Sequence, residues 1–593
     1  MLRDFRKNRV FNRRALLVGL AQGSLAGALV VRLGYLQLAK HKDYAIQSDS
    51  NRIKPAINPS PRGIIYDRNG VALTRNDSSY RLLLYLDRKM DKAALVDKLA
   101  DVLDLSPEKK ESFLNKIINA RRKRIISLMD HLDWDDVARI ESNSYALGGV
   151  RIESGIIRRY PYPEETAHIV GYASSPSESE MQYSQSNLFM HPDFRVGKSG
   201  LEKSFDESLR GKYGVSYIEV NALDVSLRVL SKDEPVKGSA LHLTIDLELQ
   251  KFVTNRIKEL SASVVVMNVD SGEILCYVSS PSFNPNNFVE GVSQQYWQEV
   301  SQDERNPMHN KPISALYPPG STFKTMVAIA ALESGINPER IIKCSGHYNL
   351  GRRRFHCWKE GGHGNVNLRQ AIAQSCNTYF YSLANQLGSE EIHKVAQKFG
   401  YGQEFNIGLS GFKKGILPDE KWKRKFHRGP WVGGDTLNLS IGQGDLSVNP
   451  LQMAVAVARI ANGGNNVDPY MIKGYNKKDN SFNLGFNDKN IDFVQQAMSD
   501  VVNTKHGTAY WTRTRLKDFP MSGKTGTSQV ISKRESEMTD AQNKKNANHA
   551  IFTGFGPSNN PKYAISVVVE HGGSGSAAAA PIARDVFTKM HKA

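Results

Sequence analysis

YPPGSTFKTMVAIAALESG, Tyr317 to Gly335, is the stretch on which the reading of the chain turns. Pro318, Pro319 and Gly320 halt any preceding element. Ser321 and Lys324 follow three residues apart, so they share one face of a helical turn. The run MVAIAALE is apolar nearly all round, the pattern of an interior helix. A helix that begins at Ser321 aims backbone N–H groups and the positive end of its dipole at the serine, where negative charge is favoured. A lysine one turn into such a helix is desolvated, which lowers its pKa and makes it usable as a base. A serine hydroxyl is a poor nucleophile until a base removes its proton. The stretch therefore predicts a nucleophile, Ser321, activated by Lys324.

Ser-x-x-Lys recurs at Ser106–Lys109 and Ser410–Lys413, both read as solvated surface. What sets Ser321 apart is two further elements downstream: Ser375-Cys376-Asn377 in QAIAQSCNTYFYSLA, and Lys524-Thr525-Gly526-Thr527 in MSGKTGTSQV. The glycine-flanked Lys524 and Thr525 suit a strand edge that a substrate backbone approaches closely. Lys198-Ser199-Gly200 resembles the third element but precedes the serine. The ordered triple, with gaps of about fifty and about 150 residues, is the signature of penicillin-binding proteins and class A β-lactamases.

Outward from these motifs the texture is mixed. LHLTIDLELQKFVTNRI reads as a strand into a helix, and SASVVVMNVDSGEILCYVSS as a hairpin turning at Asp270-Ser271-Gly272. HAIFTGFGP and YAISVVVEH read as two late strands, and PIARDVFTKMHK as a terminal helix. Strands at both ends of a helix-rich stretch predict an α+β domain with an antiparallel sheet, over 236–593. The region 40–235 has no catalytic cluster. It reads as a pedestal: PRGIIYDRNGVAL is strand, turn, strand; about 90–145 is charged and helical in pattern; GKSGLEKSFDESLRGKYG is a helix between glycine turns.

The N-terminus predicts a membrane anchor. Arg3, Arg6, Lys7, Arg9, Arg13 and Arg14 stand against one acid, Asp4, before the uncharged run Ala15–Val31. With Arg32 snorkelling, the span is 15–39, after a cytoplasmic tail 1–14. The run is longer than a signal-peptide core and no A-x-A-like cleavage site follows it, so an uncleaved anchor is expected. The basic flank places the N-terminus in the cytoplasm and the bulk outside. The net charge of +18 comes without recognition-helix or zinc-finger spacing, which argues against nucleic acid.

The whole chain resembles a class B penicillin-binding protein: anchor, pedestal, transpeptidase domain. WKEGGHGNVNLRQAIAQSCNTYFY and HRGPWVGGDTLNLSIGQG most resemble the elongation-specific penicillin-binding protein 2 family of Gram-negative bacteria; the division-specific branch is the main rival. The resemblance implies an inner-membrane D,D-transpeptidase. Ser321 would attack the penultimate D-Ala carbonyl of a stem pentapeptide, with Lys324 as base. Ser375 would relay a proton and Asn377 would position substrate. Lys524, Thr525 and Thr527, with Gly526 between, would hold the substrate carboxylate and backbone. β-Lactams would acylate Ser321. A membrane glycan polymerase and elongation-complex proteins are the implied partners. A D,D-carboxypeptidase or β-lactamase of the same fold, and a catalytically weak scaffold, are the competing readings.

Three of the four cysteines, Cys344, Cys357 and Cys376, fall within 33 residues with His363 between them. Three thiols and a histidine match a Cys3His zinc site. A disulfide with a spare thiol, or buried free cysteines, fit the spacing as well, and His347 and His356 are competing ligands. The resemblance favours a structural zinc, since elongation-type members can carry a metal beside the active-site motif. Cys276, in ILCYVS, reads as core.

Overall fold

Six of seven residues in the strand Ala262–Asn268 (β1) are buried, and all of Ile274–Ser280 (β2). Such β-branched runs, covered on both faces, belong at the centre of a layered domain. The pair is antiparallel, with Val264 opposite Val278. Next along the chain come helix α1 (Lys324–Glu333), the hairpin strands β3 (His347–Leu350) and β4 (Arg353–His356), and helix α2 (Asn377–Leu387). Helices α3 (Gly433–Ser440), α4 (Pro450–Ala461) and α5 (Asp488–Asn503) follow, then β5 (Ser522–Ser528), β6 (His549–Gly556), β7 (Tyr563–Val569) and α6 (Ala580–Lys592).

Five strands form one antiparallel sheet in the order β2-β1-β7-β6-β5. The first strand of this sheet along the chain thus pairs with the last, β1 against β7, as the late strands of the sequence predict. The third motif lies on β5, which among the described residues pairs with a strand, β6, on one side only. Helix α4 is buried along its whole length. It starts at Asn449, which accepts from Gln452 N–H at 2.8 Å while Gln452 Oε1 accepts from Asn449 N–H at 3.1 Å, a reciprocal cap. Its one charge, Arg459, is neutralised by Asp468 at 2.9 Å.

This computed structural model describes residues 2–40, 52–58, 60–86, 90–119, 125–177, 179–180, 194–220, 226–289, 291–427, 429–475, 482–529 and 547–592. The chain forms two compact units, 1–60 with 211–237 and 61–210 with 238–593. In the first, a helix runs from Leu2 to Gly34 and widens into a π turn to Ala39. Arg13–Leu38 is long and apolar enough to cross a membrane. A three-stranded sheet, Ile53–Asn58, Gly214–Val220 and Ser226–Asp233, completes that unit.

Two local expectations are corrected. The stretch read as helical over 90–145 contains helices Lys92–Leu103, Pro107–Asn119 and Trp134–Ser142, but also the strand Ile125–Leu132. That strand is set by pairing with the distant Arg75–Tyr85, which local pattern does not carry. The helix expected around 200–210 is split into Gly200–Ser204 and Asp206–Arg210. Glu202 there is drawn fully inside by Arg62 and Arg158, at 2.5 and 2.8 Å.

Candidate active site

Ser321 lies in a single 3-10 turn, Gly320–Phe323, that runs directly into α1. The turn is clamped by backbone. Gly320 N–H donates to Gly442 C=O at 3.0 Å. Both glycines have positive φ, +55° and +72°, where a Cβ is disfavoured. A Cβ on Gly320 would stand 2.6 Å from Thr527 O, and one on Gly442 2.1 Å from Gly320 O. The nucleophile turn is therefore held directly against β5.

Lys324 is fully buried. Its Nζ donates to Ser375 C=O at 2.9 Å, to Ser375 Oγ at 3.1 Å and to Asn377 Oδ1 at 2.6 Å. Burial pushes its pKa down to about 8. The bond to Ser321 that the spacing suggests is not among these three. The ammonium is committed to the second motif, and catalytic bonds of this kind commonly tighten only with substrate in place. Ser375 takes φ +56°, a conformation that costs a non-glycine residue roughly 1–3 kcal/mol. Its carbonyl accepts from Lys324 and also from the Trp358 indole N–H at 3.0 Å.

Lys524 is fully buried on β5 and donates to Thr525 C=O at 3.2 Å. Burial first, then the charge of Lys324, holds its pKa well below the usual lysine value. Thr525 Oγ1 shares a hydrogen bond with Thr508 Oγ1 at 2.8 Å. Thr527 is exposed, and its C=O accepts from Gln443 Nε2 at 3.1 Å. In an antiparallel edge strand a residue's N–H and C=O leave on the same side, so the Thr527 N–H also faces outward from the sheet. Ser321, Ser375, Asn377, Thr525 and Thr527 line one cleft of about 600 Å³. The fold thus brings the three motifs together. Trp358 and Gln443 lie in stretches that carry the family resemblance but had no role assigned there, and Thr508 lies in none; their contacts in the fold reveal all three.

Cys344, Cys357, His363 and Cys376 form one cluster, their ligand atoms all within 4.8 Å of one another. His363 Nδ1 stands 3.5 Å from Cys344 Sγ and 3.6 Å from Cys357 Sγ. A tetrahedral zinc with bonds of about 2.0–2.3 Å sets its ligands roughly 3.5–4 Å apart, so the donor set fits that ion. The hydrogen bond from Cys376 is the main cause holding the Cys357 thiol well below its ordinary pKa, towards the thiolate that ligates metals. All four cysteines are unpaired, and Cys276 is buried in β2. His347 and His356 face each other across the β3–β4 hairpin, outside the cluster.

The family model for the penicillin-binding protein transpeptidase domain matches residues 262–588, and that for the penicillin-binding protein dimerisation domain matches 57–243. The chain belongs to the penicillin-binding protein transpeptidases. It is 34% identical over 575 residues to the peptidoglycan D,D-transpeptidase MrdA of Acinetobacter baumannii, covering 94% of this chain and 84% of that one. The penicillin-binding protein 2 of Helicobacter pylori, solved in complex with MreC, superposes with a TM-score of 0.80 at 30% identity, over 91% of this chain and 99% of that one. A chain solved in a peptidoglycan synthase complex that couples polymerisation and crosslinking gives 0.69 at 28%, over 97% and 98%.

Proposed function

We propose that this penicillin-binding protein cross-links peptidoglycan stem peptides during cell elongation, with Ser321 as the acylated residue. The observation that carries the assignment is the buried Lys324 Nζ, one turn from Ser321 and bonded to both Ser375 Oγ and Asn377 Oδ1. Neutral Lys324 takes the Ser321 proton as Oγ attacks the penultimate D-Ala carbonyl. Backbone N–H groups of Ser321 and Thr527 hold the oxyanion, each worth roughly 3–4 kcal/mol. Lys324 returns the proton through Ser375 Oγ to the departing D-Ala amine as the C–N bond breaks. An amine of a second stem peptide then attacks the ester, loses its proton by the same route, and leaves Ser321 free. Lys524 and Thr525 bind the terminal carboxylate, whose negative charge restores the ammonium that burial disfavours.

Cys344, Cys357, His363 and Cys376 would hold one zinc. Bound there, the ion would be a structural clamp that ties the loops before α2 to the second motif; it takes no part in acyl transfer. The helix Arg13–Leu38 would anchor the chain in the inner membrane, its basic flank in the cytoplasm. Partners of the kind seen with similar chains, an MreC-like protein and a glycan polymerase, are expected to assemble with it. Purified chain, supplied with lipid-linked glycan and a polymerase, should release D-Ala and form peptide cross-links. Release of D-Ala without cross-links would make it a carboxypeptidase instead.

A further inference from the structure

The β3–β4 hairpin is built from HYNLGRRRFH, and its turn is Gly351-Arg352. Arg352, Arg353 and Arg354 are all exposed. Three cations at one tip repel one another and do nothing for the core. Among the described residues none of them has a carboxylate partner; Arg353 lies over the Phe355 ring at 5.1 Å.

Strand alternation separates the three. Residues two apart point to the same face. Arg353 and Phe355 share one face, and Phe355 is buried against the body of the domain. Arg354 and His356 share the other, with Arg352 beyond them in the turn. His356 lines the catalytic cleft, and its carbonyl accepts from Asn377 Nδ2 of the second motif at 3.3 Å and from Tyr381 OH at 3.4 Å. The hairpin is therefore fastened to the active site at His356, and its charged face continues the cleft wall outward. At about 3.4 Å per residue, Arg354 lies about 7 Å beyond His356 along the strand, and Arg352 follows in the turn at its end. An extended peptide advances by a similar 3.3–3.6 Å per residue.

We propose that Arg354 and Arg352 form a carboxylate-binding track that reads the acidic residues of the stem peptide upstream of its D-Ala-D-Ala end. The inference rests on the peptidyl transfer reading given above. A guanidinium pairs with a carboxylate through two parallel hydrogen bonds, so the track favours peptides whose upstream carboxyls are free over those in which they are amidated.

The test uses the full chain and two synthetic pentapeptides ending in D-Ala-D-Ala. One has free carboxylates at its second and third residues; in the other both are amidated. Each is used to protect Ser321 from a fluorescent penicillin. The acidic peptide should protect at about tenfold lower concentration, the sum expected of two exposed ion pairs, and the difference should shrink as salt rises. R352Q/R354Q should abolish the preference while leaving the penicillin rate without peptide unchanged. R353Q, on the opposite face, should retain it, as should R352K/R354K in large part. Absence of a preference in the natural chain, its persistence in R352Q/R354Q, or its equal loss in R353Q overturns the proposal. Failure of penicillin to label Ser321 at all would instead remove the function on which it rests.

Discussion

Burial of Lys324 sets both its reactivity and its pH dependence. With a folded pKa near 8, about a tenth of it is neutral at pH 7. A base acts only when neutral, so acylation by penicillin should rise about tenfold per pH unit below 8 and level off above it. A stopped-flow pH series would show the break; a flat profile from pH 6 to 9 would assign the proton to another group. Lys324→Arg keeps the charge and cannot deprotonate. It should lower acylation about a hundredfold or more and remove the break, with the circular dichroism spectrum unchanged. Ser321→Ala should abolish labelling, since no other serine combines the turn, the buried lysine and the two later motifs; peptide mapping of a residual label would show otherwise.

Between elements, the nucleophile turn is placed by backbone contact rather than by side chains. Gly442→Ala introduces a Cβ that would meet Gly320 O at 2.1 Å, at φ +72°. The turn and the Gly442 backbone must move apart, and a displacement of this kind is felt in rate before stability. We expect acylation to fall at least tenfold with a loss of only about 1–3 kcal/mol, measured by penicillin kinetics beside thermal melts. An intact rate would mean that the turn has slack. The Cys3His cluster acts on the next element. Cys376 caps α2 between Ser375 and Asn377, so a ligand lost elsewhere in the cluster is transmitted to both. Protein purified without a histidine tag should contain one zinc per chain by elemental analysis. Cys357→Ser should bring that near zero and lower the melting temperature first and the acylation rate second. Natural protein free of zinc would leave the four side chains as a buried polar cluster only.

At the scale of the whole molecule, the unit of residues 61–210 and 238–593 is cross-braced by one buried carboxylate. Glu202 is fully buried and accepts from Arg62 Nε at 2.5 Å and Arg158 Nε at 2.8 Å. Arg158 also donates to Asn76 Oδ1 at 2.9 Å and Gly63 O at 2.7 Å. Burial alone would raise the Glu202 pKa; Arg158 and Arg62 outweigh it and hold it below the usual carboxylate value. Its contribution is therefore present at neutral pH and lost only as pH falls through that lowered value. Glu202→Ala leaves Arg158 buried without a carboxylate and Arg62 with Asp206 alone, at 2.8 Å, and should cost roughly 3–5 kcal/mol in denaturant unfolding. Glu391→Ala, which breaks the exposed Lys394–Glu391 pair at 2.9 Å, should cost less than about 1 kcal/mol. Equal effects of the two would show that the buried cluster has no special weight.

Much of this molecule was legible in the sequence because it is written locally. An apolar helix after two prolines and a glycine places Ser321 and Lys324; β-branched runs and a glycine turn place the β1–β2 hairpin; the uncharged run after Arg14 places the long N-terminal helix. The motifs share a cleft, as their order along the chain implies. What the sequence withheld is what depends on residues far apart. Lys324 donates to Ser375 and Asn377, more than fifty residues away, rather than to its near neighbour Ser321. Thr508 joins Thr525, and the Trp358 indole holds the strained Ser375 carbonyl. The strand Ile125–Leu132 arises from its pairing with the distant Arg75–Tyr85. Periodicity and turn chemistry are properties of a few consecutive residues. The direction of a buried proton donor, the φ of Ser375 and the edge position of β5 are settled only when distant segments compete for the same space and the same hydrogen bonds.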